Sequence, residues 1–144
     1  MISTIEKVLF LKDVDLFSQI PGEDLSQVAQ IAKEIYFEQD RQIIKQGEVG
    51  DCLYLIIEGE VKVLSGDQEI ARLGEKESVG EMSILDAEPR SASVFAVTDV
   101  VLLEIKQEDF YEMISERPEI AQGVIKVLTR RLRVTQPSKG AKHV

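Results

Sequence analysis

The chain has 144 residues, a formal net charge of −9 and a hydrophobic share of 44%. That is the length of one domain with a real core, and the composition is too apolar for wholesale disorder. The acidic surplus argues against gripping nucleic acid or an anionic membrane by bulk charge, and no apolar run approaches the ~20 residues that span a bilayer.

Taken in chain order, Ile2, Ile5, Val8 and Leu9 form one apolar stripe at helical spacing. The opening Met1–Lys7 lacks the basic start and long apolar block of a secretory leader. Leu16–Pro21 reads as a turn, and Pro21 is placed to open a helix with the apolar face Leu25, Val28, Ala29, Ile31 and Ala32. Core packing explains that face. From Glu34 the pattern changes to short runs of β-formers: Ile35–Phe37, Ile43–Ile44, Leu53–Ile57, Val61–Leu64 and Ile70–Leu73, punctuated by Gly47, Gly50, Gly59, Gly66 and Gly74. Ser65-Gly66-Asp67-Gln68 reads as a tight hairpin. Cys52 is the only cysteine, so no internal disulfide can form, and it reads as a strand residue. These features fit a cytoplasmic protein. Two more runs follow, Ser93–Val97 and Val100–Ile105, and the set points to a closed or double-sheet β structure. Gln107-Glu108-Asp109 begins a helix carrying Phe110, Met113 and Ile114, which ends at Arg117-Pro118. Pro118 opens a second helix with Ile120, Val124, Val127, Leu128 and Leu132 on its apolar side, and Pro137 stops it.

The stretch from Val79 to Ser93 carries the chemistry. Gly80 lets the backbone come close to a ligand, and Arg90 offers a planar fork for two phosphate oxygens. Backbone N–H groups at the start of a short helix favour an anion. Glu81 cannot serve a phosphate, because like charges repel, but it can accept from a sugar hydroxyl. Together they suggest a nucleotide with ribose and phosphate side by side. Standing alone, Arg90 would read as a surface partner of Asp86 or Glu88, and Glu81 as a carboxylate favoured by a helix start.

At Val79-Gly80-Glu81-Met82-Ser83-Ile84 and Pro89-Arg90-Ser91-Ala92-Ser93 the chain resembles the cyclic nucleotide-binding domain family, in its phosphate-binding cassette. Val79 stands where the family places an aromatic, and Ile84 where it places Leu. The block Gly47-Glu48-Val49-Gly50-Asp51-Cys52-Leu53-Tyr54 through Gly59-Glu60-Val61 matches a second family pattern, and Leu16-Phe17 with Ile20-Pro21 its helical lead-in. The resemblance runs from about Leu9 to about Thr135. It implies an α+β, mainly β fold: an eight-stranded antiparallel β-roll of jelly-roll type over 34–106, with N-terminal helices over 1–33, a short cassette helix and C-terminal helices over 107–135. Residues 136–144 are then a flexible tail or linker.

The resemblance also implies the site. Arg90, Ser91, Ala92 and Ser83 would hold the phosphate, the last three through backbone N–H groups, and Gly80, Glu81 and Met82 the ribose. Val63, Ile70, Ala71 and Leu73 would line the base slot, with Thr135 reaching the base from the last helix. Ordinary strand packing accounts equally well for each apolar residue alone. Ser91 leaves adenine and guanine both open; the reading leans to cAMP over cGMP. Arg130, Arg131 and Arg133 read equally as a solvated basic face near a helix C-terminus.

The function expected is a cyclic-nucleotide sensor without chemistry of its own, passing ligand binding through its C-terminal helix to an attached or separate effector domain. The alternative is a scaffold that kept the fold, lost the ligand and acts through protein contacts. An enzyme is not expected: the one histidine, His143, lies in the tail, and nothing suggests a metal centre or a cofactor beyond the nucleotide. With about ten residues after Arg133-Val134 there is no room for a helix-turn-helix, so no nucleic acid partner is expected for this chain alone, and no membrane partner. Pro137 shortens the last helix, which points to a monomer.

Overall fold

The fold is taken from a computed structural model that describes residues 1–135, without the side chain of Thr135. The expected stop at Pro137 and the tail 136–144 lie outside the described residues. Helix α1 spans Thr4–Lys12 and opens on a capping box, in which Ser3 Oγ accepts from the Glu6 N–H and the Glu6 carboxylate accepts from the Ser3 N–H. A 3-10 turn, Asp15–Phe17, and helix α2, Gly22–Ile31, complete the N-terminal group. Then come β1 Lys33–Phe37, β2 Gln42–Ile44, β3 Cys52–Glu58, β4 Val61–Ser65, β5 Gln68–Leu73 and β6 Ser78–Val79. A second 3-10 turn, Glu81–Ile84, precedes β7 Ser93–Ala96 and β8 Val100–Lys106. Helices α3, Gln107–Glu116, and α4, Pro118–Thr135, follow.

The eight strands form two antiparallel four-stranded sheets, ordered β1-β8-β3-β6 and β2-β7-β4-β5. This is the expected jelly-roll arrangement with helices at both ends of the chain. The hairpin between β4 and β5 turns on Gly66-Asp67, with Ser65 opposite Gln68.

Strands β3 and β8 are buried on both faces, which is why they read as apolar runs, that of β8 interrupted at Glu104. Successive side chains on a strand point to opposite faces. Leu53, Leu55 and Ile57 of β3 and Leu103 and Ile105 of β8 therefore meet the helices, in a core with Leu16, Phe17, Val28, Phe110 and Ile120. Ile56 and Leu102 point the other way, into a second core between the sheets with Ile44, Val61, Val94 and Ala96. Of the first apolar stripe, Ile5 and Leu9 are exposed, and α1 enters the core through Leu11. Likewise Leu132 is exposed, because α4 has run past the core by that point; Ile120, Val124 and Val127 are its buried residues. Gly123 lets α4 pass against the 3-10 turn: a Cβ there would stand 2.8 Å from the Gln19 carbonyl.

Candidate functional site

The second core does not fill its end of the roll. There the inner-face residues Ile44, Val63 and Val94 form the floor of an open cleft of about 580 Å³. That volume lies within the ~300–1,000 Å³ typical of small-molecule sites. The walls come from Ser78 and Val79 of β6, the turn after it, the loop from Asp86 to Ala92, and Arg131 of α4.

Gly80 starts the turn in the left-handed region, at φ 77°, ψ 28°. Only glycine takes that conformation without cost, and it reverses the chain so that Glu81–Ile84 lies across the mouth. Ile84 is fully buried and pins the turn to the helix-side core. The loop carrying Arg90 is tied to the Gly47–Gly50 segment. The Arg90 N–H donates to Glu48 O at 2.7 Å, the Gly47 N–H to Arg90 O at 2.9 Å, and the Gly50 N–H to Glu88 O at 3.0 Å. The Arg90 guanidinium lies between Gly50 and Gly80, where a Cβ on either glycine would overlap it. Its Nη1 donates to Ser83 Oγ at 2.9 Å and its Nη2 to Cys52 O at 2.9 Å. One backbone carbonyl and one hydroxyl thus orient a half-buried charged fork toward the cleft.

Glu81 is held from the opposite side. Arg131 Nη2 donates to Glu81 Oε1 at 2.7 Å and to Asp15 Oδ2 at 2.7 Å. Ser78 Oγ donates to Glu81 Oε2 at 3.4 Å. One guanidinium therefore joins α4, the Glu81–Ile84 turn and the N-terminal 3-10 turn. Hydrogen bonds to Asp15 and then to Glu81 raise the Arg131 pKa further above its ordinary high value, so it stays charged. Burial pushes the Cys52 thiol up and, foremost among several causes, also raises the Tyr54 phenol. Among the described residues no group of three or more His, Cys, Asp or Glu could hold a metal ion. No described helix is long and apolar enough to cross a membrane.

A cleft with an apolar floor, an arginine fork and a carboxylate at its mouth suits a small, flat, anionic ligand with hydroxyls. Comparison with known proteins is decisive for the family. A family model described as "Cyclic nucleotide-binding domain" matches residues 34–117. The chain belongs to the cyclic nucleotide-binding domain family.

Within that family the chain is similar to the cyclic AMP receptor protein of Thermus thermophilus, at 36% identity over 85% of this chain and 59% of that protein. It is also similar to a cyclic nucleotide-gated potassium channel of Rhizobium etli, at 34% identity over 82% of this chain and 33% of the channel. The chain thus spans under two thirds of the length of these relatives. Among solved structures it resembles the N-terminal domain of a transcriptional regulator from Streptomyces coelicolor, with a TM-score of 0.84 at 30% identity over 90% of this chain and 94% of that one.

The structure brings most of the residues singled out in the sequence to one cleft. Gly80, Glu81, Met82, Ser83, Arg90, Ser91, Ala92 and Val63 all line it. The Ser83 backbone N–H donates to the Gly80 carbonyl at 3.0 Å, and its hydroxyl accepts from Arg90 Nη1. Ile70, Ala71 and Leu73 do not line the cleft. They lie on β5, at the sheet edge, where Ile70 and Ala71 are exposed and Leu73 packs against the second core. The Thr135 side chain lies outside the described residues.

The floor residues Ile44 and Val94 are not singled out by the sequence, because an apolar residue within a strand run carries no sign of which core it faces. In the sequence Arg131 reads equally as part of a solvated basic face. Its one sequence signal is its place four residues before Thr135, one helical turn away on the same face.

Proposed function

We propose that this domain binds a cyclic purine nucleotide, cAMP in preference to cGMP, and acts as a regulatory module without chemistry of its own. The observation that carries the reading is the placing of Arg90 and Glu81 on one cleft with opposite tasks. Arg90 takes the cyclic phosphate through charge-assisted hydrogen bonds, with Ser91 and Ala92 alongside and the Ser83 hydroxyl holding its Nη1 edge. Glu81 accepts from the ribose hydroxyl, with Gly80 and Met82 forming the adjacent wall. Val63, with Ile44 and Val94, offers the base an apolar bed.

The route out of the site is Arg131. A ribose hydroxyl on Glu81 shares a carboxylate that Arg131 also uses, so ligand and α4 are energetically linked. Differential contact in two α4 positions is all that a population shift requires. The output passes to an attached or separate effector domain. The domain itself works as a cytoplasmic monomer, without nucleic acid or membrane as a direct partner.

Calorimetric titration with cAMP and cGMP tests the reading, with Arg90→Ala and Glu81→Ala as controls. Binding that is tighter for cAMP and lost in Arg90→Ala is expected. Absence of binding to either nucleotide at millimolar concentration, in protein free of co-purified ligand, would sink it and favour a protein-contact scaffold.

A further inference from the structure

We propose that Tyr111 and Gln107, at the start of α3, are positioning residues for the phosphate seat: they clasp the far end of the Glu81–Ile84 turn and thereby fix Ser83 against Arg90. The inference rests on the nucleotide-binding reading of the cleft and extends it to two residues that do not line it.

Gln107 is the first residue of α3. Its backbone N–H donates to Asp51 O at 2.8 Å. Its side-chain Nε2 donates to Ser83 O at 3.4 Å and to Tyr111 Oη at 3.3 Å. Tyr111 lies four residues on, hence on the same helix face, and its hydroxyl donates to Leu85 O. One face of α3, from Gln107 to Tyr111, therefore holds two carbonyls of the cassette, at Ser83 and Leu85.

Those attachments fall at the two supports of the Arg90 guanidinium. Asp51 immediately precedes Cys52, whose carbonyl accepts from Arg90 Nη2. Ser83 supplies the hydroxyl that accepts from Nη1. Gln107 thus joins the two segments that hold the fork, and Tyr111 holds the residue just beyond the turn. The clasp adds to two other holds on Ser83 and Leu85, the packing of Ile84 and Leu85 against the helix-side core and the short bonds of a 3-10 turn, whose geometry is weak. Tyr111 is 45% exposed, so its ring is not a core residue. Its one evident role is to fix where the turn sits. Helix α3 thus presents Gln107 and Tyr111 to the cassette and Phe110 and Met113 to the core.

The test uses the full chain. Tyr111→Phe deletes one hydroxyl and keeps the ring; Gln107→Ala keeps a good helix former at the first position of α3. Both variants should unfold at close to the parent temperature. The Kd for cAMP, by calorimetry, should rise roughly two- to tenfold in each, the worth of one neutral hydrogen bond. In an Arg90→Lys background the further loss from Tyr111→Phe should shrink, since the clasp acts through Arg90; a double-mutant cycle reads that coupling. Without nucleotide, the Leu85 and Asp86 amides, which both donate to Met82 O within the turn, should exchange faster in Tyr111→Phe. An unchanged Kd, or an equal loss in both backgrounds, overturns the proposal. If the parent protein takes up neither cAMP nor cGMP, the nucleotide reading fails and the amide rates alone decide. Unchanged rates then overturn the clasp, and faster rates uphold it as the support of the turn.

Discussion

Gly50 and Gly80 stand on either side of the Arg90 side chain, and neither position has room for a methyl group. At Gly50 a Cβ would overlap Nε and Cζ of Arg90; at Gly80 it would overlap Nη1 and stand 2.9 Å from Cys52 O. Gly80 carries a second constraint, its φ of +77°, which costs other residues ~1–2 kcal/mol. Gly50→Ala should therefore act as a remote form of Arg90→Ala. Since only the flexible end of Arg90 has to move at Gly50, the unfolding free energy in urea should change little, while cAMP affinity should fall roughly tenfold or more as the fork is displaced. Cys52 behaves differently. It is 8% exposed, and burial raises its thiol pKa, so at pH 8 the thiolate is scarce and shielded. Iodoacetamide should label Cys52 slowly in the folded protein and fast in urea; equal rates, followed by mass spectrometry, would contradict the buried strand position.

At the scale of elements, α4 is held in two different ways along its length. Up to Leu128 it is packed, through Ile120, Val124, Val127 and Leu128 and the close pass of Gly123 over Gln19. Beyond Leu128 it is tied by the Arg131 guanidinium, shared between Asp15 and Glu81. The Arg131 side chain is 35% exposed, so the pair is partly screened and contributes ~0–1 kcal/mol to global stability. Arg131→Ala should leave the unfolding free energy almost unchanged but free the end of the helix. Amide exchange in the last two turns of α4 should accelerate, and a protein in which those amides are unaffected would show that α4 is held by packing alone.

On the scale of the whole molecule, β3 and β8 serve two cores at once, and the aromatic pair Phe17–Phe110 binds the N-terminal turn to α3 with ring centroids 6.3 Å apart. Neither core can be lost alone, because each lines one face of the same two strands. Phe110→Ala should cost about 3–5 kcal/mol, as large aromatic truncations in cores do. Urea unfolding should remain a single transition, with tyrosine fluorescence and far-ultraviolet circular dichroism giving the same midpoint. Two separated midpoints would mean that the helical layer melts independently of the roll.

Much of this arrangement was legible in the residues. The apolar runs marked seven of the eight strands, and the hairpin at Gly66-Asp67 followed from turn chemistry. The missing strand, Ser78–Val79, is only two residues long and pairs with Tyr54 and Leu55 of β3; so short a segment has no periodicity to detect. The Gly80-Glu81 and Pro89-Arg90 pairs pointed to the cleft through the family resemblance that their residue types and spacing carry, and all four line it. Such local features survive in sequence because they depend on backbone angles and on neighbours a few residues away. Ile70 and Ala71 show the limit: their strand was read correctly, but its place at a sheet edge put them outside the cleft. The floor of Ile44, Val63 and Val94 depends on register between β2, β4 and β7, and Arg131 meets Glu81 across 50 residues of chain. No local pattern encodes those meetings, since they follow from how sheets and helices dock. Composition, turns and the nucleotide-binding motif were thus written in the chain, whereas the cleft floor, the clasp on Ser83 and the link to α4 arose from long-range packing.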